Sequence, residues 1–321
     1  MAKFYFSKKP NESGKGEIVT IGCDGARKME ADIDTCGANL LRFSRDGVDI
    51  VGTFVRPDGT NGGGSPVLYP LPNRVRDGVY HFNGKAYDQI KNGQRVLIHG
   101  LVRDEPFKYS DPVIAADAIT FTVWVDFKPG EAVYEGFPFE HKFSMSFIIS
   151  EDDLKVTYTV DNLSDGELPY GFGIHPFFFR HSGDDATTVS LPSDSVIECD
   201  ENIMPTGNII KVEGTNFDMR SHRPVKDLKF DTDFFNYPAG QSAEICYPSL
   251  GYKVVLETTD DYNHIMFFIT PGNSWFCVEN MTCSVNAHNL YAEGLKKESG
   301  LIILPAKTSK TGVITFAFEK I

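Results

Sequence analysis

Three segments limit the fold of this chain more than anything else in it. Ala118–Phe127, Phe139–Ile149 and Leu154–Asp161 alternate apolar and polar residues with a period of two. In the first, Ile119, Phe121, Val123 and Val125 alternate with Thr120 and Thr122. Successive side chains of a strand point to opposite faces, so this pattern fits strands that bury one face. Few windows carry a helical period, and strands do not alternate with amphipathic helices, which disfavours a parallel α/β fold. Many such strands bury their apolar faces by stacking sheet on sheet. The chain is therefore expected to be all-β, a large antiparallel β-sandwich. With no shift in composition and no fixed-period repeat, 1–321 reads as a single domain.

Local turn chemistry agrees. Asn39–Gly52 turns at Asp46-Gly47 and Val79–Ile90 turns at Asn83-Gly84, both two-residue hairpin signals. The Gly62-Gly63-Gly64-Ser65 run lacks a following Lys-Ser/Thr and a strand–helix context, so it reads as a flexible loop and not a phosphate loop. His99–Tyr109 is polar and broken by Pro106, and reads as a loop carrying ligands rather than as core. Later strands are expected at Tyr252–Thr258, His264–Thr270, Trp275–Val278 and Val313–Glu319. The one stretch with helical propensity is Asn289–Glu298.

The formal net charge is −13, which offers no electrostatic footprint for nucleic acid or an anionic membrane. No apolar run reaches membrane-spanning length, and the N-terminus lacks the apolar core of a secretory signal. The six cysteines have neither zinc-site spacing nor scaffold density, so they read as reduced, mostly buried thiols in a cytoplasmic protein. Neither a metal site nor a cofactor motif is legible, and none is expected.

What remains is an acid–base set. His175 lies inside Tyr170–Arg180 (YGFGIHPFFFR). Gly171 and Gly173 there leave room for something to approach the backbone, and Pro176 prevents a plain central strand. A titratable ring against apolar walls is raw material for proton transfer, although a buried histidine with backbone partners has the same local sequence. Glu279 ends the apolar run Trp275–Val278, where it is either a rim charge or a cavity carboxyl whose burial raises its pKa. His99 stands where a strand opens into a loop. Asp233, before Phe234 and Phe235, is either a turn cap or a ligand. Arg74 offers a planar fork suited to hydroxyls or a carboxylate. Aromatics with a few charged hydrogen-bonders are the profile of a carbohydrate site.

Seven segments, in order, carry a resemblance. They are GANLLRF, PLPNRVRDGVYHFNGKAY, HGLVRDEPF, YGFGIHPFFF, DTDFF, FCVENMT and ILPAKTSKTGVITFAFE. Together the chain resembles the aldose 1-epimerase (galactose mutarotase) family. The resemblance implies that family's β-sandwich, with the sugar on one concave sheet and no cofactor. It implies Glu279 as general base, His175 as general acid and His99 as a second histidine near the ring oxygen. Arg74, Asn73 and Asp233 would then bind sugar hydroxyls. Leu101 and Phe107 stand where the best-known members carry glycine and tryptophan, and Asn280 where proline is usual. These departures are similar to a branch with phosphorylated or unusual sugars. The implied substrate is thus a monosaccharide or a sugar phosphate, handled by a monomer or homodimer.

The implied reaction has Glu279 ionised and His175 protonated, opening the ring between them. Three other readings stay open at this level. One is a non-catalytic carbohydrate-binding sandwich. Another is a glycosidase or lyase using Glu279 with Asp233. The third is a hexose 6-phosphate epimerase with a basic pocket from Arg74, Arg76 and Arg103.

Overall fold

The three alternating segments pair with one another in chain order. In a computed structural model describing residues 2–183 and 185–321, Ile119–Phe127, His141–Ile149 and Asp153–Asn162 form an antiparallel meander. Ser309–Lys320 adds to it, with Val156 opposite Ile314 and Leu154 opposite Phe316. One face of this sheet carries Phe121, Phe147, Val156, Ile314 and Phe316, all buried. Each such side chain contributes about 1.5–3 kcal/mol on burial, which is why the period-two segments are strands and stay in register. The complete sheet has 10 strands.

A 13-stranded sheet packs against it. Phe43 and Phe178 of this second sheet meet Phe316 of the first at ring-centroid distances of 5.9 and 6.1 Å. Buried residues from Phe4 to Phe316 form one contiguous cluster between the layers. The chain is an antiparallel β-sandwich, as its sequence pattern predicts. No helix of the described residues is long and apolar enough to cross a membrane.

Both hairpins turn where expected. Asp46 and Gly47 have φ of 51° and 81°, Asn83 and Gly84 have 48° and 74°, the left-handed pair that a two-residue turn requires. Three expectations need correction. The glycine run is not a flexible loop: Asn61–Gly63 pairs with Thr53–Val55, and the Gly64 N–H donates to the Gly52 carbonyl at 2.8 Å. The His99–Tyr109 segment is not all surface: Leu101, Val102 and Phe107 are buried in the main core. The helical stretch is two short helices, Ala287–Ala292 and Lys296–Ser299, parted at Gly294, whose φ of 92° no helix accommodates. All six cysteines are free thiols; Cys23, Cys277 and Cys283 are buried and the other three are half-buried.

Candidate active site

The middle of the 13-stranded sheet is built from Phe177–Phe179, Trp275–Met281, His264–Ile269 and Phe230–Phe235, adjacent in that order. Alternation divides their side chains. Phe178, Phe276, Val278, Ile265, Phe267 and Phe234 enter the main core. Cys277, Glu279, Met281, Met266, Asp231 and Asp233 take the other face, where Met266 and Met281 pack with Leu68 and Val285 as a separate apolar floor.

Register then lines up the candidate residues. Asp233 stands opposite Met266, and Met266 opposite Glu279. Gly173 pairs with Met281 and Phe177 with Cys277, so His175 falls opposite Glu279. The His175 N–H donates to the Pro66 carbonyl at 3.0 Å, carrying the row to a further strand. Pro176 interrupts the strand as its missing donor requires, between Gly173–Ile174 and Phe177–Phe179. The glycines before it serve packing: a Cβ on Gly171 would lie 2.2 Å from Cys283 Sγ, and one on Gly173 2.8 Å from Met281 Cγ.

The row ends in a contact between two titratable groups. His175 Nε2 lies 3.2 Å from Glu279 Oε1, with both side chains nearly enclosed. Burial raises the Glu279 carboxyl well above its ordinary value, and neighbouring Asp231 adds to the rise. Burial lowers His175 to about 4, with the Arg103 charge acting in the same direction. Glu279 Oε2 and His175 Nδ1 are buried without hydrogen-bond partners. His175 also stacks on Phe177, centroids 4.8 Å apart and planes 10° from parallel.

His99 meets His175 edge to face, with centroids 5.3 Å apart. It has a φ of 66°, and its N–H donates to the Asn73 carbonyl at 2.7 Å. Burial, His175, Arg103 and Arg74 together lower it to about 3. Asn73 is buried at a left-handed turn beside Arg74. Its φ is 55°, and its Oδ1 accepts from the Arg74 backbone N–H at 2.8 Å and from Arg74 Nη1 at 3.2 Å. Arg74 is thus aimed by its own neighbour. Its Nη2 lies 3.6 Å from Asp231 Oδ2.

Asp233 is placed differently from its expected role. It is fully buried, and its two oxygens are taken by His264 Nδ1 at 3.0 Å and Ser284 Oγ at 2.6 Å. The carboxylate that meets Arg74 and stays partly open is Asp231, two residues earlier on the same face. Sequence reasoning missed Asp231; its period-two relation to Asp233 was the available signal. Arg76 also turns away, 3.8 Å from Asp200. Phe54 and Trp275 stack at 4.8 Å next to Phe177, and Phe268 adjoins Trp275, setting a partly exposed aromatic cluster beside the row.

A carboxyl and an imidazole in contact, one pushed up and the other down by burial, form a device for moving protons beside an arginine–carboxylate pair suited to hydroxyls. The sequence model of one family, described as aldose 1-epimerase, matches residues 19–317. The chain belongs to the aldose 1-epimerase family. Membership places it among isomerases that act on sugars. Within or beside that family, the chain is 25% identical over 294 residues to "Uncharacterized protein YihR" of Escherichia coli (strain K12), covering 88% of this chain and 92% of that one. It is 27% identical over 174 residues to galactose mutarotase of Homo sapiens, a match spanning 52% of this chain and 48% of the human one. The crystal structure of a galactose mutarotase-like protein from Clostridium acetobutylicum superposes with a TM-score of 0.82 at 24% identity, covering 99% of each chain. That of galactose 1-epimerase from Lactobacillus acidophilus NCFM gives 0.77 at 14% identity, covering 100% and 99%. These two superpositions speak for the aldose 1-epimerase fold.

Proposed function

We propose that this chain interconverts the α and β anomers of a hexose by opening and reclosing the sugar ring. The observation that carries the reading is the 3.2 Å contact between His175 Nε2 and Glu279 Oε1 on one rung of the sheet. The pair holds one proton at working pH. Burial favours the neutral form, with that proton on Glu279, whereas the sequence reading has it on His175. The two forms differ by one proton transfer along the contact and have the same net charge.

In the forward direction Glu279 takes the proton of the anomeric hydroxyl and His175 gives one to the ring oxygen. The bond from C1 to the ring oxygen breaks, leaving an open-chain aldehyde. Rotation about C1–C2 and reclosure on the other face, with the roles exchanged, give the other anomer. Each positioned transfer is worth roughly 10²–10⁴ in rate, about 5–11 kcal/mol for the two together. His99, held low and neutral, supplies a hydrogen bond near the ring oxygen. Arg74 and Asp231 hold the remaining hydroxyls, Asn73 fixes Arg74, and Asp233 acts from behind the row through His264 and Ser284. With both Asp233 oxygens engaged, a glycosidase pair of Glu279 and Asp233 lacks its second free acid.

A second reading takes a hexose 6-phosphate as the preferred substrate. It is favoured by Arg103, whose charge acts on both His99 and His175. Arg76 does not strengthen it, lying against Asp200.

Polarimetry on freshly dissolved α-D-glucose and α-D-galactose tests the first reading. Acceleration by the wild-type protein, lost in Glu279→Gln, is expected. Acceleration that survives Glu279→Gln removes the base. No acceleration with either sugar, but acceleration with glucose 6-phosphate, transfers the weight to the second reading. Sugar binding without acceleration of any of them leaves a carbohydrate-binding sandwich.

A further inference from the structure

Cys277 has no part in the reaction above, yet it stands two residues from Glu279 on the same strand face and directly opposite Phe177. Its Sγ, a ring nitrogen of His175 and a carboxylate oxygen of Glu279 all lie within 4.8 Å of one another. Sulfur, imidazole and carboxylate are the donor set of zinc, with bonds of roughly 2.3, 2.0–2.1 and 2.0–2.2 Å. In a tetrahedron such bonds set neighbouring donor atoms roughly 3.3–3.6 Å apart. His175 Nε2 and Glu279 Oε1 are already 3.2 Å apart, so only the sulfur has to close in. Glu279 also keeps a buried oxygen, Oε2, without a partner. The spacing along the chain hides this set, because His175 arrives from a different strand.

We propose that His175, Cys277 and Glu279 form a three-ligand site for a thiophilic divalent cation of the zinc class, which reversibly blocks the sugar site. On binding, the Cys277 thiol and the His175–Glu279 pair each release one proton to solvent, two in all, and the thiolate, the His175 Nε2 lone pair and the Glu279 carboxylate donate to the cation. Nothing is oxidised or reduced. Three protein ligands leave the fourth position to water, the pattern of an open zinc site. Thiolate softness selects zinc, cadmium or cobalt over magnesium and calcium. The cation occupies the lone pairs that ring opening needs, so sugar and cation exclude one another. The blocking part rests on the acid–base reading of this site; the binding part does not.

The test titrates the chelator-treated 321-residue chain with cobalt(II) alone and reads its absorption. A near-ultraviolet thiolate-to-cobalt band with the intense visible bands of a tetrahedral ion is expected, bleached when zinc displaces the cobalt and unaffected by magnesium. Cys277→Ser should lose the near-ultraviolet band and weaken zinc binding, since the thiolate donor is gone. Cys199→Ser and Cys246→Ser, at half-buried thiols elsewhere, should keep both. Cys277→Ala replaces Cys277→Ser if the serine variant does not fold. A wild-type protein without the thiolate band, or a band that persists without Cys277, overturns the proposal, and the wild-type spectrum decides if neither variant folds. Cobalt binding in a protein that accelerates no sugar's mutarotation leaves the cation site standing and removes the epimerase reading. Mutarotation without the band does the reverse.

Discussion

His175 and Glu279 face each other across neighbouring strands, joined at 3.2 Å although 104 residues separate them along the chain (279 − 175). Burial is the chief cause that drives their proton affinities in opposite directions, with Asp231 adding to the rise of Glu279 and Arg103 to the fall of His175. Such a pair titrates as a unit, gaining a second proton on the acid side and losing its only one on the alkaline side. The rate of ring opening is expected to fall on both sides of a single plateau. A flat rate from pH 4 to 9 contradicts the assignment.

Glu279→Gln should make the protein more stable while it abolishes activity. The folded carboxyl has its pKa raised, so the unfolded chain releases its proton first as pH rises. Ionisation in the unfolded state therefore draws stability away above about pH 4.3, the ordinary glutamate value. Glutamine has no such loss. A Tm gain of about 2 °C or more is expected at neutral pH, shrinking to nothing below pH 4. A Tm difference that stays constant with pH contradicts the buried, raised carboxyl.

Acid should unfold the protein through its histidines before most of its carboxylates protonate. His175 and His288 are lowered to about 4, and His99 and His141 to about 3, in each case chiefly by burial. Unfolded histidines take protons from about pH 6.5 downward, where these folded ones do not. The unfolded state then binds more protons, and stability falls as pH drops from about 6.5 to 4. Urea midpoints measured across that window should decline by more than a chain with one such histidine allows. Midpoints independent of pH down to 4.5 contradict the neutral, buried placement.

Arg74 and Asp231 should behave as one unit. Arg74→Ala or Asp231→Asn each removes a charged hydrogen-bonder from the hydroxyl side of the cleft, worth about 1.5–3 kcal/mol, or roughly 10–150-fold in KM. The double variant should lose less than the sum, because each partner orients the other across 3.6 Å. Steady-state kinetics on all three variants reads this. Fully additive losses contradict the pairing.

Gly100→Ala should cost both stability and rate. Gly100 has a φ of 73°, and a Cβ there would lie 2.2 Å from the Tyr69 carbonyl oxygen. The left-handed backbone alone is worth about 1–3 kcal/mol of strain for a residue with a side chain. The displaced neighbour is His99, so kcat should fall with the urea midpoint. An alanine variant as stable and as fast as wild type contradicts the backbone placement.

Much of this was legible beforehand where local chemistry is strong. The alternating strands fixed which faces are apolar, and Asp46-Gly47 and Asn83-Gly84 named their own turns. The histidines and Glu279 stood out because polar groups inside apolar runs need a reason. What escaped depends on long-range contacts. Asp231 and Asp233 share a face, and only the burial of Asp233 behind His264 and Ser284 tells them apart. Leu101 and Val102 look like part of a polar loop until Lys91, itself buried, is seen donating to the Leu101 carbonyl at 2.8 Å and to Asp104 at 2.7 Å, pinning that loop inward. The split between the two short helices follows from one glycine whose backbone angle is not written in propensities.

Cys277, Glu279 and Met281 take alternate positions of one strand, with the core residues Phe276 and Val278 pointing the other way between them. A deletion or insertion of one residue within Trp275–Met281 would bring Val278 or Asn280 to the His175 side and push Glu279 among the phenylalanines. No graded path leads from one arrangement to the other. The loops at the rim can lengthen, shorten or be exchanged without this penalty, whereas the strand interiors cannot change in length by one residue. Freedom at the rim and rigidity in the strands are then two outcomes of the same parity rule.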